Sequence, residues 1–428
     1  MQPIEEEIII ENGYNLHLIP SKKYKTINMI VKFKAPLERT TVTERALLPY
    51  ILQQGTEKYP SARELRTALD DLFGTVFTID SAKKGESHII TARMEVANQA
   101  YLTSNVEIIK EALALLNQII FHPKGNKESF DEKIVNREKQ TLKQKIDSVI
   151  DDKMSYANMR LIDEMCQKEP YQLHVQGYEE DLEAIDAKNL FDYYRTMLVE
   201  DELDIYVLGD LGDFSIQELI ATYFAREKED RNQPNPTITQ KIADVKEIVE
   251  AQNVQQGKLH LGYRTNITFS DPLYPALQVF NGIFGGFPSS KLFMNVREKH
   301  SLAYYASSRF ESHKGLLFVF SGIDPKDYKQ AKNIIIEQME AMQSGDFSDD
   351  QVEETKQMVV NQFLETLDHP QGLIEVLYHQ ILADLTISPE ELMAKIKQVK
   401  KQDILEVGKR LELDTVYFLT SQGGNSIE

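Results

Sequence analysis

The residues best suited to bind a metal in this 428-residue chain are its nine histidines, and their spacing argues against a local site. The closest two, His369 and His379, are ten positions apart, so no pair stands at the i, i+4 interval that turns two imidazoles toward one zinc from a single helical face. A zinc motif built from neighbouring histidines is therefore missing, and any histidine cluster must be assembled by the fold from distant positions. Nucleophile chemistry has equally little to start from. There is no G-x-S-x-G turn, and the single cysteine, Cys166, sits in the apolar-periodic stretch LIDEMCQ, where it reads as a packing residue. Gly285-Gly286 is followed by Phe287-Pro288-Ser289-Ser290 without the lysine of a phosphate loop and comes after a helical pattern rather than a strand, so it does not read as a phosphate cradle.

Two elements set the context for those residues. A charge-rich, proline-containing stretch, REKEDRNQPNPTITQ, separates the chain into residues 1–225 and 241–428, with 226–240 as linker. Before it the pattern is a strand at 30–39, a helix near 44–53, a helix at 61–73, a hairpin at 76–95, helices from 105 to 197 and a closing strand at 201–210. After it the order repeats: a strand at 258–265, a helix pair at 272–283 and 289–299, a hairpin at 304–322, helices from 326 to 411 and a strand at 415–421. A repeated order of elements constrains the whole chain, and it predicts two similar α+β domains in tandem, each a mostly antiparallel sheet backed by helices.

Composition narrows the functional classes. With 67 acidic against 48 basic side chains the formal net charge is -19, which repels phosphate backbones and anionic membrane surfaces, so neither nucleic acid nor membrane is an expected partner. The opening Met1-Gln-Pro-Ile-Glu-Glu-Glu lacks the basic and apolar regions of a signal peptide, and no apolar run reaches the roughly 18 residues of a membrane span. One cysteine suits a reducing compartment, and the expected location is cytoplasmic.

Two segments carry a resemblance that the chemistry alone does not supply. Ala46-Leu-Leu-Pro-Tyr-Ile-Leu-Gln-Gln-Gly-Thr56, with Ser61-Ala-Arg-Glu-Leu and Asp71-Leu-Phe-Gly after it, resembles the inverted zinc-motif region of the M16 (insulinase, or pitrilysin-like) metallopeptidases, where H-x-x-E-H is followed by Gly-Thr. In that family two histidines bind zinc and the glutamate activates water. The register set by Gly55-Thr56 places Ala46 and Tyr50 at the histidine positions and Pro49 at the glutamate. Lys145 aligns with the downstream glutamate ligand, and Glu138 with a second family glutamate. The implied reading is that this chain has no catalytic residues, metal or cofactor of its own.

The second segment, Gly285-Gly-Phe-Pro-Ser-Ser-Lys-Leu-Phe-Met-Asn-Val-Arg-Glu-Lys-His-Ser-Leu-Ala-Tyr304, resembles the family's S-S-x-L-F-x-x-V-R-E-x-x-x-L-A-Y more closely. The resemblance implies that Arg297 and Tyr304, seven apart, bind substrate backbone, with Gly285 and Gly286 serving a turn or touching peptide. Duplicated halves, linker and length together resemble one half-clamshell subunit of the bacterial M16B type, and most nearly the zinc-less inactive subunit found in Firmicutes. That resemblance implies a noncatalytic partner of a zinc-bearing homologue with intact H-x-x-E-H, lining a peptide-cleaving chamber; for the chain alone, monomer and homodimer both stay open. The alternative is a structural or scaffold M16-like protein without a peptidase role.

Overall fold

In the computed structural model, residues 4–11, 13–102, 107–212, 215–229 and 244–421 are described. The expected linker, 226–240, lies outside them from residue 230 onward. The chain divides into two units, one formed by residues 1–148 and 173–235, the other by 149–172 and 236–428.

The first unit holds a six-stranded sheet. Its strands are β1 (Glu7–Glu11), β2 (Tyr14–Pro20), β3 (Thr26–Pro36), β4 (Val76–Lys84), β5 (Ser87–Ala97) and β6 (Glu202–Gly209), in the order β1-β2-β6-β3-β5-β4. Only β2 and β6 run parallel; every other pairing is antiparallel. β3, TINMIVKFKAP, carries β-branched and aromatic residues at alternate positions, and Met29, Val31 and Phe33 enter the core on one face. Helices α1 (Val42–Leu52), α2 (Ala62–Asp71), α3 (Ile108–Phe121) and α4 (Glu132–Asp147) belong to this unit, α3 burying Ile109, Ala112, Leu113 and Leu116 at the i, i+3, i+4, i+7 interval. Ser61 starts α2 by accepting the Glu64 amide at 3.2 Å while its hydroxyl reaches the Glu64 carboxylate at 2.7 Å.

The second unit holds β7 (Lys246–Gln252), β8 (Gly257–Arg264), β9 (Ala303–Glu311), β10 (Leu316–Ile323) and β11 (Glu412–Ser421), ordered β7-β11-β8-β10-β9. Here β7 and β11 are the parallel pair. Set against the first sheet, β2-β6-β3-β5-β4 has the same connectivity and the same single parallel pairing, so the duplication expected from element order is present and β1 is an additional edge strand. The pattern of the sequence does not disclose β1, β2 and β7, because each is short and β1 and β7 mix charge with apolar residues.

Helix α5 (Lys153–Met165) and the residues around it belong to the second unit although they precede the linker. Ala157, Leu161, Met165 and Cys166 pack against Leu316, Phe318, Tyr417 and Leu419 of β10 and β11. Gly262 on β8 permits this: a Cβ there would come within 2.5 Å of the Met165 sulfur. Periodicity runs the first half unbroken to residue 225, since it reports which face of a helix is apolar and not which sheet covers it. No helix among the described residues is long and apolar enough to cross a membrane.

Candidate functional site

Helix α1 carries the first motif. Ala46 is buried in the core of the first unit, and Pro49 lies inside the helix, where its ring nitrogen cannot donate to the Arg45 carbonyl one turn back. Tyr50 is half-buried, and burial first and the nearby Glu138 second hold its phenol above the usual range, so it stays protonated. Glu138 on α4 is itself buried and is engaged by Arg137, whose Nε is 2.7 Å away and whose other arm reaches the Gln54 amide oxygen at 2.7 Å. Lys145 lies two turns beyond Glu138 on α4, exposed. A methyl group, a ring without N–H, a protonated phenol and an exposed ammonium do not fit a zinc ion. Among the described residues no three of His, Cys, Asp and Glu come together as a metal ligand set.

The second motif lies wholly in the second unit. Residues Gly282–Gly286 and Phe293–Lys299 form two π-helical turns, and the second leads into β9 through Ser301, whose φ of 52° is left-handed, with the Leu302 amide bonded back to the Val296 carbonyl at 3.0 Å. This hairpin of helix and strand positions the pair. Val296 and Leu302 are buried and anchor it, while Arg297 and Tyr304 project outward, Tyr304 with 72% of its surface exposed. Arg297 places its guanidinium 4.6 Å from the centre of the Phe293 ring, with the Glu298 carboxylate 3.7 Å from its Nε. Gly285 is buried where a Cβ would come within 2.5 Å of the Ser308 hydroxyl and 2.7 Å of its amide, so its missing side chain lets the π turn close onto β9; Gly286 is exposed.

A buried polar cluster behind α1 went unread in the sequence. Arg45 and Asp201 are almost wholly buried and meet at 2.6 Å. The guanidinium also donates to the Phe33 carbonyl at 2.8 Å, the His88 carbonyl at 3.1 Å and the Tyr193 hydroxyl at 3.4 Å. Burial pulls its basicity down, and the Asp201 charge more than restores it. The His88 imidazole is pushed well below its ordinary range by burial and by Arg45. The one available signal was a lone arginine inside the apolar run of α1.

With this geometry in hand, known proteins place the chain. The probable inactive metalloprotease YmfF of Bacillus subtilis (strain 168) is 46% identical over 414 residues, covering 97% of each chain. This chain belongs to the M16 peptidase family. The description Peptidase M16 inactive domain matches residues 184–359 of the M16 chain. A conserved protein from Enterococcus faecalis V583 superposes with a TM-score of 0.90 at 36% identity, covering 98% of the M16 chain and all of its own. The peptidase M16 inactive domain from Pseudomonas fluorescens shares the fold at 15% identity, with a TM-score of 0.83 and coverage of 99% and 100%. The M16 chain is thus an inactive metalloprotease homologue.

Proposed function

We propose that this M16 chain is the noncatalytic subunit of a two-chain zinc peptidase, pairing with a homologue that carries H-x-x-E-H and lending Arg297 and Tyr304 to hold the peptide. The observation that carries the reading is the contrast between the two motifs. The first is filled by Ala46, Pro49 and Tyr50 and offers no imidazole or carboxylate, whereas the second keeps a cation and a phenol in open solvent on adjoining elements anchored by buried neighbours. A guanidinium and a phenol so presented are suited to hydrogen-bond a peptide carbonyl and to support the oxyanion that forms when it is attacked. β4 borders its sheet, and a border strand is where an extended peptide can add through backbone hydrogen bonds without regard to its sequence. One cysteine suits the reducing cytoplasm.

The test is reconstitution. The chain is mixed with a zinc-bearing M16 homologue from the same source, complex formation is monitored by native mass spectrometry, and cleavage of a quenched fluorescent peptide is measured. The reading requires a complex that cleaves peptide while each chain alone does not. Cleavage unaltered by Arg297→Ala and Tyr304→Phe in an intact complex would leave the scaffold role instead.

A further inference from the structure

His313 and His379 stand 66 positions apart and meet ring to ring. Nε2 of His313 lies 2.6 Å from Nδ1 of His379. The ring centroids are 4.9 Å apart and the planes differ by 4°. Near-parallel rings whose facing nitrogens are so much closer than their centres meet edge to edge in one plane, so an N–H on one ring points along the lone pair of the other. Phe269 lies 5.8 Å from both centroids and within 16° of both planes, covering the pair. His313 sits in the turn between β9 and β10, and His379 in the last turn of the helix Pro370–Leu382. The loop that carries Phe269 is itself tied to the same turn, its amide donating to the Ser312 carbonyl at 2.8 Å.

We propose that His313 and His379 form a proton-operated latch that fastens the end of the helix Pro370–Leu382 to the β9–β10 turn. An N–H···N bond needs one proton between the two facing nitrogens. It holds when the pair is neutral and also when one ring is charged, as a charge-assisted bond. A second charge puts a proton on each facing nitrogen and two cations at hydrogen-bond distance, and the rings must part. Charged and titratable groups stand on each element packed around the pair. Glu311 accepts the His313 amide at 3.1 Å, and burial first and this carboxylate second raise the Tyr274 phenol. Lys314 is ion-paired with Glu169 at 2.6 Å, and Asp271, in the Phe269 loop, with Arg410 at 2.7 Å. Glu375 lies one turn before His379 on its helix. Glu311 and Glu375 offset part of the second charge and so set how far the pH must fall. Free imidazoles take their protons near pH 6.5, whereas the closed latch refuses its second proton, so the open form binds more protons and acid favours it, by about ten-fold per pH unit for a difference of one proton.

Hydrogen exchange of the full chain, read by mass spectrometry at pH 7.5 and 5.5 and corrected for intrinsic amide rates, reports the latch directly. Protection of residues 374–382 and 312–316 should fall about ten-fold or more at pH 5.5 while the other helices of the unit hold theirs. In the variant His313→Gln with His379→Gln, an amide pair replaces the imidazoles and the difference between the two pH values should vanish. Equal protection of the wild-type segments at both pH values overturns the proposal, as does an equal loss across all helices of the unit or an undiminished difference in the glutamine variant. If that variant does not fold, the wild-type comparison decides alone.

Discussion

The guanidinium of Arg297 lies over the ring of Phe293, 4.6 Å from its centre, one helical turn away on the same π-helical segment. The ring supports the side chain from below and leaves its N–H groups to reach outward. In a reconstituted complex, Arg297→Ala and Tyr304→Phe should each lower turnover by roughly ten- to thousand-fold, the range found when one stabilising donor is lost. Phe293→Leu should give a smaller loss through the same arginine. Because Arg297 and Tyr304 are exposed, neither Arg297→Ala nor Tyr304→Phe should move the thermal midpoint of the isolated chain by more than about 2 °C. A large fall in stability would show that the pair is structural.

Rebuilding the zinc motif should cost stability before it yields a metal site. Ala46→His, Pro49→Glu and Tyr50→His place polar groups where Ala46 and Pro49 are buried, at about 1–3 kcal/mol for each group left without a partner. On the proposed alignment, Lys145→Glu must be added to complete the ligand set. Denaturant unfolding should show the loss in the triple variant, and elemental analysis after dialysis against zinc should find less than one equivalent. One tightly held equivalent in the unaltered chain would contradict the site described above.

Arg45 and Asp201 form a pair whose partners cannot be removed singly. Arg45→Met or Asp201→Leu alone should destabilise by about 3–5 kcal/mol, because each leaves a buried charge uncompensated. The double change should recover a large part of the loss. Equilibrium urea unfolding of the three variants decides it, and strictly additive losses would mean that the two charges do not act as a pair.

His260 on β8 is fully enclosed, edge-on to Phe320 with centroids 5.0 Å apart, and burial first, then Lys258, lowers its imidazole to about 3. The folded chain therefore binds fewer protons here than the unfolded chain between about pH 6.5 and 3. This group's contribution is complete above pH 6.5 and declines as the pH falls, by about 1.4 kcal/mol per unit. His260→Phe should flatten the acid limb of a stability-against-pH curve measured by urea unfolding. An unchanged slope would mean that this ring is not the acid-sensitive group.

The sequence by itself determined the duplication and the antiparallel sheets, and it carries the two segments on which the proposed function rests. These are local: alternation in β3, the continuous apolar run of β10, the helix start at Ser61, and the identities of Ala46, Pro49, Tyr50, Arg297 and Tyr304 can be read one segment at a time. Only the tertiary structure decided that α5 lies on the second sheet, that Arg45 finds Asp201 across 156 positions, and that His313 meets His379. Such pairings depend on where a chain returns after many turns, and a single lysine, arginine or histidine in an apolar stretch carries no mark of its distant partner. The short strands β1, β2 and β7 escape a reading of the sequence for a related reason, since their pairing is set by the neighbouring strand's backbone groups more than by their own side chains.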